Sequence, residues 1–87
     1  MPKISVLLPV FNAEDTLFRA ASSCLNQTFS DLELIIINDG SSDKTSNTCD
    51  QLVSEDSRVK IIEFKSNKGV SKAIESGRMD ANGELIA

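Results

Sequence analysis

Four runs of strand-forming apolar residues, separated by three stretches in which apolar residues recur at helical spacing, leave this chain few ways to fold. The first run, Ile4-Ser5-Val6-Leu7-Leu8-Pro9-Val10, is almost continuously apolar, as expected of a parallel strand covered on both faces. The second, Leu32-Glu33-Leu34-Ile35-Ile36-Ile37, stops at Asn38-Asp39-Gly40 and reads as the most buried strand. The third, Val59-Lys60-Ile61-Ile62-Glu63-Phe64, carries two charges, which suits an edge position. A fourth begins at Glu84-Leu85-Ile86-Ala87.

Between them, Asn12 is a good N-cap with Glu14 and Asp15 in the favourable first turn, and Leu17, Ala20, Ala21, Cys24 and Leu25 form one apolar stripe. Ser41 or Ser42 can cap a second helix with Thr45, Cys49, Leu52 and Val53 inward. A third helix presents Val70, Ala73, Ile74, Gly77 and Ala81, with Gly83 where a C-cap is wanted. Gly77 on the inner face would allow close helix–sheet contact. Strand and helix in strict alternation predict an α/β protein, βαβαβαβ, with a parallel Rossmann-like sheet and right-handed crossovers. The strand order expected is 3-2-1-4, all parallel, because the first strand is apolar throughout and the third is not. A domain rarely stops inside a strand without a polar tail, so the reading is of one truncated domain over residues 1–87.

Eighty-seven residues bury only roughly 60–65% of the surface exposed by the unfolded chain, so the core is thin. The net charge of -4, with no basic cluster, makes nucleic acid a poor partner. Histidine is absent, which removes Ser/His and Cys/His catalytic pairs and the commonest zinc ligand. Cys24 and Cys49 fall in helical segments without metal-ligand spacing and read as buried, reduced thiols. The apolar opening is too short for a secretion signal or a membrane span, so a cytoplasmic chain is expected, and the Asn26-Gln27-Thr28 sequon then carries no meaning.

Ligands of open parallel sheets bind beyond the carboxyl ends of the strands, which directs attention to three loops. After the first strand stand Pro9, Phe11 and Glu14; after the second, Asp39; after the third, Asn67 and Gly69. Asp39, directly after a buried strand, can accept hydrogen bonds from a base or a ribose hydroxyl, or it can simply form the turn. Phe11 can stack on a base or staple the helix start. Asn67 and Gly69 suit a phosphate or sugar hydroxyl, or a plain cap. Glu14 suits the pocket or the helix dipole. The Ser41-Ser42-Asp43 group lacks the glycines and lysine of a P-loop and reads as a helix start.

Together these pieces resemble the family 2 glycosyltransferases of GT-A fold, over residues 3–87. Ser5-Val6-Leu7-Leu8-Pro9-Val10-Phe11-Asn12 is similar to the family's opening strand, whose Pro and aromatic border the uridine site. Asn26-Gln27-Thr28-Phe29 resembles its Ser-Gln-x-x turn. Ile37-Asn38-Asp39-Gly40-Ser41-Ser42-Asp43-Lys44-Thr45 is similar to its Asp-Asp-Gly-Ser-x-Asp-x-Thr motif, in which the residue matching Asp39 contacts the nucleoside. Asn67-Lys68-Gly69-Val70-Ser71-Lys72-Ala73 matches the start of the family's third helix, and Gly83-Glu84-Leu85-Ile86-Ala87 the strand leading to its DxD metal motif. Two departures stand out. Ile74 and Glu75 replace the family's Arg-Asn, so the Arg contact to the nucleotide is absent, and Lys68 or Lys72 is the available positive charge.

The second departure is that the metal aspartates, the catalytic base and the acceptor pocket of the family lie past Ala87. The resemblance therefore implies a parent enzyme that moves a sugar from a nucleotide donor, UDP above all, to an acceptor hydroxyl with a divalent metal (Mg or Mn), and leaves membrane association of that parent open. The 87-residue chain is expected to hold the nucleoside through Pro9, Phe11, Glu14, Asp39, Asn67 and Gly69, to contain no catalytic or metal-ligating residue, to bind no metal and to be inactive alone. An uncovered fourth strand also predicts self-association through the sheet edge. Two rivals stand beside this reading. A dinucleotide-binding half of an oxidoreductase lacks its G-x-G-x-x-G after the first strand, and a non-catalytic receiver-like α/β module lacks its acidic cluster.

Overall fold

The structure is a computed structural model that describes residues 4–26 and 31–86. The opening residues 1–3, most of the Asn26-Gln27-Thr28-Phe29 turn with its sequon, and Ala87 lie outside the described residues. Along the chain run β1 (Ile4–Val10), α1 (Leu17–Leu25), β2 (Leu32–Asp39), α2 (Thr45–Glu55), β3 (Val59–Phe64), α3 (Val70–Asp80) and β4 (Glu84–Ile86). All pairings are parallel, in the order β3-β2-β1-β4. The body of the sheet is β1, β2 and β3, while β4 adds three residues beside positions 4–6 of β1.

β2 is buried along its whole length, because it has a strand on either side and helices above and below. Its pleat sends Leu34 and Ile36 to the face covered by α1 and α2, where Leu17, Ala21, Cys49 and Leu52 meet them. Ile35 and Ile37 point to the other face, against Leu7 and Ala73 of α3. Each such Leu or Ile contributes about 1.5–3 kcal/mol by leaving water. A Cβ on Gly77 would stand 2.9 Å from a Leu7 methyl and 3.0 Å from an Ile37 methyl, so the missing side chain lets α3 lie directly on the sheet.

The helix starts differ from the sequence expectation. α1 begins at Leu17, not after Asn12: Asn12 adopts a left-handed backbone with φ 50°, and the Leu17 N–H closes a turn on the Ala13 carbonyl at 2.9 Å. Glu14 and Asp15 therefore precede the helix. The start of α2 is held by Asp43, whose carboxylate accepts the Thr45 N–H at 2.9 Å, because Ser41 and Ser42 are engaged with Asn12 instead. Gly83 is no left-handed cap; α3 ends at Asp80, Ala81 is extended, and the Gly83 N–H donates to Ser5 Oγ at 2.8 Å. Ala20, Val53 and Val70 are exposed. The buried lines are narrower than expected, and a residue beside Ala21 or Leu52 is turned about 100° away by helix geometry.

A buried charge lies at the opposite end of the sheet from the strand-end loops. Glu33 of β2 accepts from Ser5 Oγ at 2.6 Å and from the Asn82 N–H at 2.7 Å, and pairs with Lys60 Nζ at 2.8 Å. Burial works against its charge, but the bonds from Lys60, Ser5 and Asn82 outweigh burial and hold its carboxyl down at about 2. The charge of Lys60 on the edge strand thus has a buried partner.

Candidate functional site

Parallel strands must deliver their following loops to one end of the sheet, and here the three loops are bonded to one another. Asp39, the last residue of β2, is only 4% exposed. Its carboxylate accepts the Lys68 N–H at 2.7 Å, the Gly69 N–H at 2.9 Å and the Asn67 side-chain amide at 3.1 Å. The same Asn67 amide reaches the Asp39 carbonyl at 3.2 Å. Gly40 follows with φ 72°, and a Cβ there would collide with the backbone of Ser66 and Asn67. The β2 and β3 loops therefore cross backbone against backbone, and only glycine allows it.

On its other side the β2 loop grips the β1 loop. Asn12, Ala13 and Glu14 donate their N–H groups to Ser41 Oγ, Thr45 Oγ1 and Asp43 Oδ2 at 3.0, 2.8 and 3.3 Å. The Asn12 side-chain oxygen accepts the Ser42 N–H at 2.8 Å. The Thr45 hydroxyl beside Asp43 holds the Asp43 carboxyl below the usual carboxylate range, with the backbone N–H groups of Thr45 and Glu14 adding to it.

Where the three loops meet lies a cleft of about 190 Å³, lined by Pro9, Val10, Phe11, Asp39, Asn67, Gly69 and Val70. Five residues singled out from the sequence, Pro9, Phe11, Asp39, Asn67 and Gly69, converge on it. Glu14 does not: its side chain is exposed outside the lining, and its N–H is committed to Asp43. Val10 and Val70 were not singled out; Val70 directly follows the Asn67-Lys68-Gly69 turn, and that adjacency is the signal that marks it. Lys68 places its ammonium 5.3 Å from the Phe64 ring centroid and is not among the lining residues.

Phe11 and Val70 are 51% and 63% exposed, and both border the cleft. With Pro9 they give it apolar walls, while Asp39 and Asn67 supply polar groups. A carboxylate offers about four acceptor positions, and three hydrogen bonds reach that of Asp39 from within the chain. One acceptor position is not taken by these bonds. No group of three or more His, Cys, Asp or Glu side chains placed to hold a metal occurs among the described residues, so these residues do not fit the metal implied for the parent.

In an open parallel α/β sheet ligands bind beyond the carboxyl ends of the strands, which is where this cleft lies. The sequence pattern of Glycosyl transferase family 2 matches residues 5–87, and the chain belongs to that family. It is 41% identical over 86 residues to an uncharacterized glycosyltransferase of Haemophilus influenzae, covering 99% of this chain and 34% of the relative. It is 38% identical over 87 residues to the GalNAc(5)-diNAcBac-PP-undecaprenol beta-1,3-glucosyltransferase of Campylobacter jejuni, covering 99% of this chain and 28% of that protein. The chain thus spans about a third or less of these relatives' length.

Two solved structures share the fold. Staphylococcus aureus TarS 1-349 in complex with UDP-GlcNAc superposes with a TM-score of 0.87 at 24% identity, over 97% of this chain and 25% of that one. The mannosyltransferase PcManGT of Pyrobaculum calidifontis, in complex with GDP-Man and Mn2+, gives 0.87 at 18% identity, over 97% and 26%.

Proposed function

We propose that this chain is the nucleoside-holding part of a sugar transferase whose parent moves a sugar from a UDP-linked donor to an acceptor hydroxyl. The observation that carries the reading is the meeting of Pro9, Phe11, Asp39, Asn67 and Gly69 at one cleft, with an acceptor position of Asp39 left over. A flat base would rest against the Phe11 ring, an N–H or ribose hydroxyl would donate to Asp39, and the Asn67 and Gly69 turn would face the sugar or phosphate. In this reading the stretch binds and orients, and no bond-making step is assigned to it.

TarS and PcManGT were solved with different bases, uracil and guanine, so their shared fold does not choose between them. No helix among the described residues is long and apolar enough to cross a membrane. A cytoplasmic site of action and self-association through the sheet edge are further parts of this reading, the second open to sedimentation equilibrium.

Titration calorimetry with UDP, UDP-sugars, GDP and NAD is the test. Weak binding of the UDP series alone, with no turnover of any UDP-sugar by this chain, is the expected result. Preference for NAD would favour the oxidoreductase reading, and no binding to any of the four would overturn the assignment of the cleft.

A further inference from the structure

Asn12 is the one non-glycine residue with a positive φ among the described residues, at 50°. It is exposed and lies outside the cleft lining, immediately after Phe11, which forms one wall. Left-handed backbone disfavours side chains with a Cβ, and asparagine and aspartate tolerate it best. Its side-chain oxygen accepts the Ser42 N–H at 2.8 Å and the Ser42 hydroxyl at 3.4 Å, while its N–H donates to Ser41 Oγ at 3.0 Å. The turn that reverses the chain after Phe11 is therefore closed by partners about thirty residues away.

We infer that Asn12 is a positioning residue: its left-handed backbone and its clasp on Ser41 and Ser42 set the orientation of the Phe11 ring at the cleft, so that nucleoside affinity depends on a side chain outside the cleft. With respect to the ligand this rests on the proposed function. Two properties are required at position 12, tolerance of positive φ and an acceptor of the right reach. Glycine supplies only the first, alanine neither, and aspartate both. Phe11 itself is half exposed, so neighbouring side chains cover only part of its ring. Without the clasp the ring is free to swing with the loop, and part of the binding energy of a stacked base would go into ordering it.

The test compares Asn12→Gly, Asn12→Asp and Ser41→Ala with the unaltered chain by amide and aromatic NMR, titrating uridine, which carries no phosphate to repel an introduced aspartate. The expected result is a shift of the Phe11 and Ser42 resonances in ligand-free Asn12→Gly, a loss of uridine affinity of about tenfold on removing this acceptor, and recovery in Asn12→Asp. Ser41→Ala, which keeps Asn12 and its backbone, should move Phe11 in the same direction by less and provides a second variant should Asn12→Gly not fold. Uridine affinity unchanged in Asn12→Gly, or no better in Asn12→Asp than in Asn12→Gly, overturns the inference. If the unaltered chain fails to bind uridine, the proposed function falls, and the ligand-free spectra still decide this point: Phe11 resonances that stay in place in Asn12→Gly overturn the clasp, and a shift sustains it.

Discussion

The Asp39 carboxylate accepts the Gly69 N–H at 2.9 Å across thirty residues of chain, so the candidate ligand-binding acid is also the anchor of the loop that faces it. Binding and folding are therefore coupled at this side chain. Asp39→Ala is expected to abolish UDP binding and also to lower stability by about 1.5–3 kcal/mol, since three part-buried hydrogen bonds lose their charged acceptor. Chemical denaturation alongside UDP titration checks both. Unchanged affinity would reduce Asp39 to a turn residue.

Gly40 is where the β2 and β3 loops touch. Gly40→Ala combines a positive φ with a backbone collision at Ser66 and Asn67. The expected cost is about 2–4 kcal/mol, in the range that backbone strain and overpacking produce together. Urea unfolding measures it. A variant as stable as the unaltered chain would show that the loops can part freely.

Glu33 sets the acid limit of stability. Its carboxyl titrates at about 2 in the folded chain against an ordinary value of 4.5, so the unfolded chain binds the proton first as pH falls. Its contribution is complete above about pH 4.5 and is lost progressively as the pH falls toward 2. Glu33→Gln should flatten the stability–pH curve in that window and, at neutral pH, cost about 1–3 kcal/mol by removing the charge that Lys60, Ser5 and Asn82 address. Equal slopes for both chains between pH 2 and 4.5 would count against it.

The two thiols should differ in reactivity. Burial pushes the Cys49 thiol up to about 11, with Glu63 and Asp50 adding to the shift. At pH 8 only about one Cys49 in a thousand is then a thiolate, and that one is enclosed. Cys24 is partly exposed. Alkylation at pH 8 followed by mass spectrometry should show one modification on Cys24, the second appearing only under denaturing conditions.

The alternation of strands and helices was legible because it depends on local period alone: residues 34–37 cannot be satisfied anywhere but between two covered faces. The convergence of Pro9, Phe11, Asp39, Asn67 and Gly69 was legible for a related reason, since parallel strands send their loops to the same end. Helix starts were not. Asn12, Ser41 and Ser42 carry the local chemistry of caps, yet the Ser41 hydroxyl and the Asn12 side-chain oxygen accept backbone N–H groups of the opposite loop, and spacing along the chain says nothing of that. The helix-dipole role considered for Glu14 fails for the same reason, since α1 begins three residues later, while its pocket role had rested only on its place in the loop after the first strand. Glu33 offered no signal at all, its partners lying in three separate segments.

The absent side chain at Gly77 ties three positions into one variable. With Leu7 and Ile37 methyls already at 2.9 and 3.0 Å from where a Cβ would stand, a larger residue at 77 requires those side-chain ends to shift or to shorten. Among chains of this fold, alanine or serine at 77 should be accompanied by valine or a smaller residue at 7 or 37, and the three should drift together through descent. A library randomised at those sites and selected for folding would recover that correlation, with the total side-chain volume of the triplet nearly constant while its individual members change.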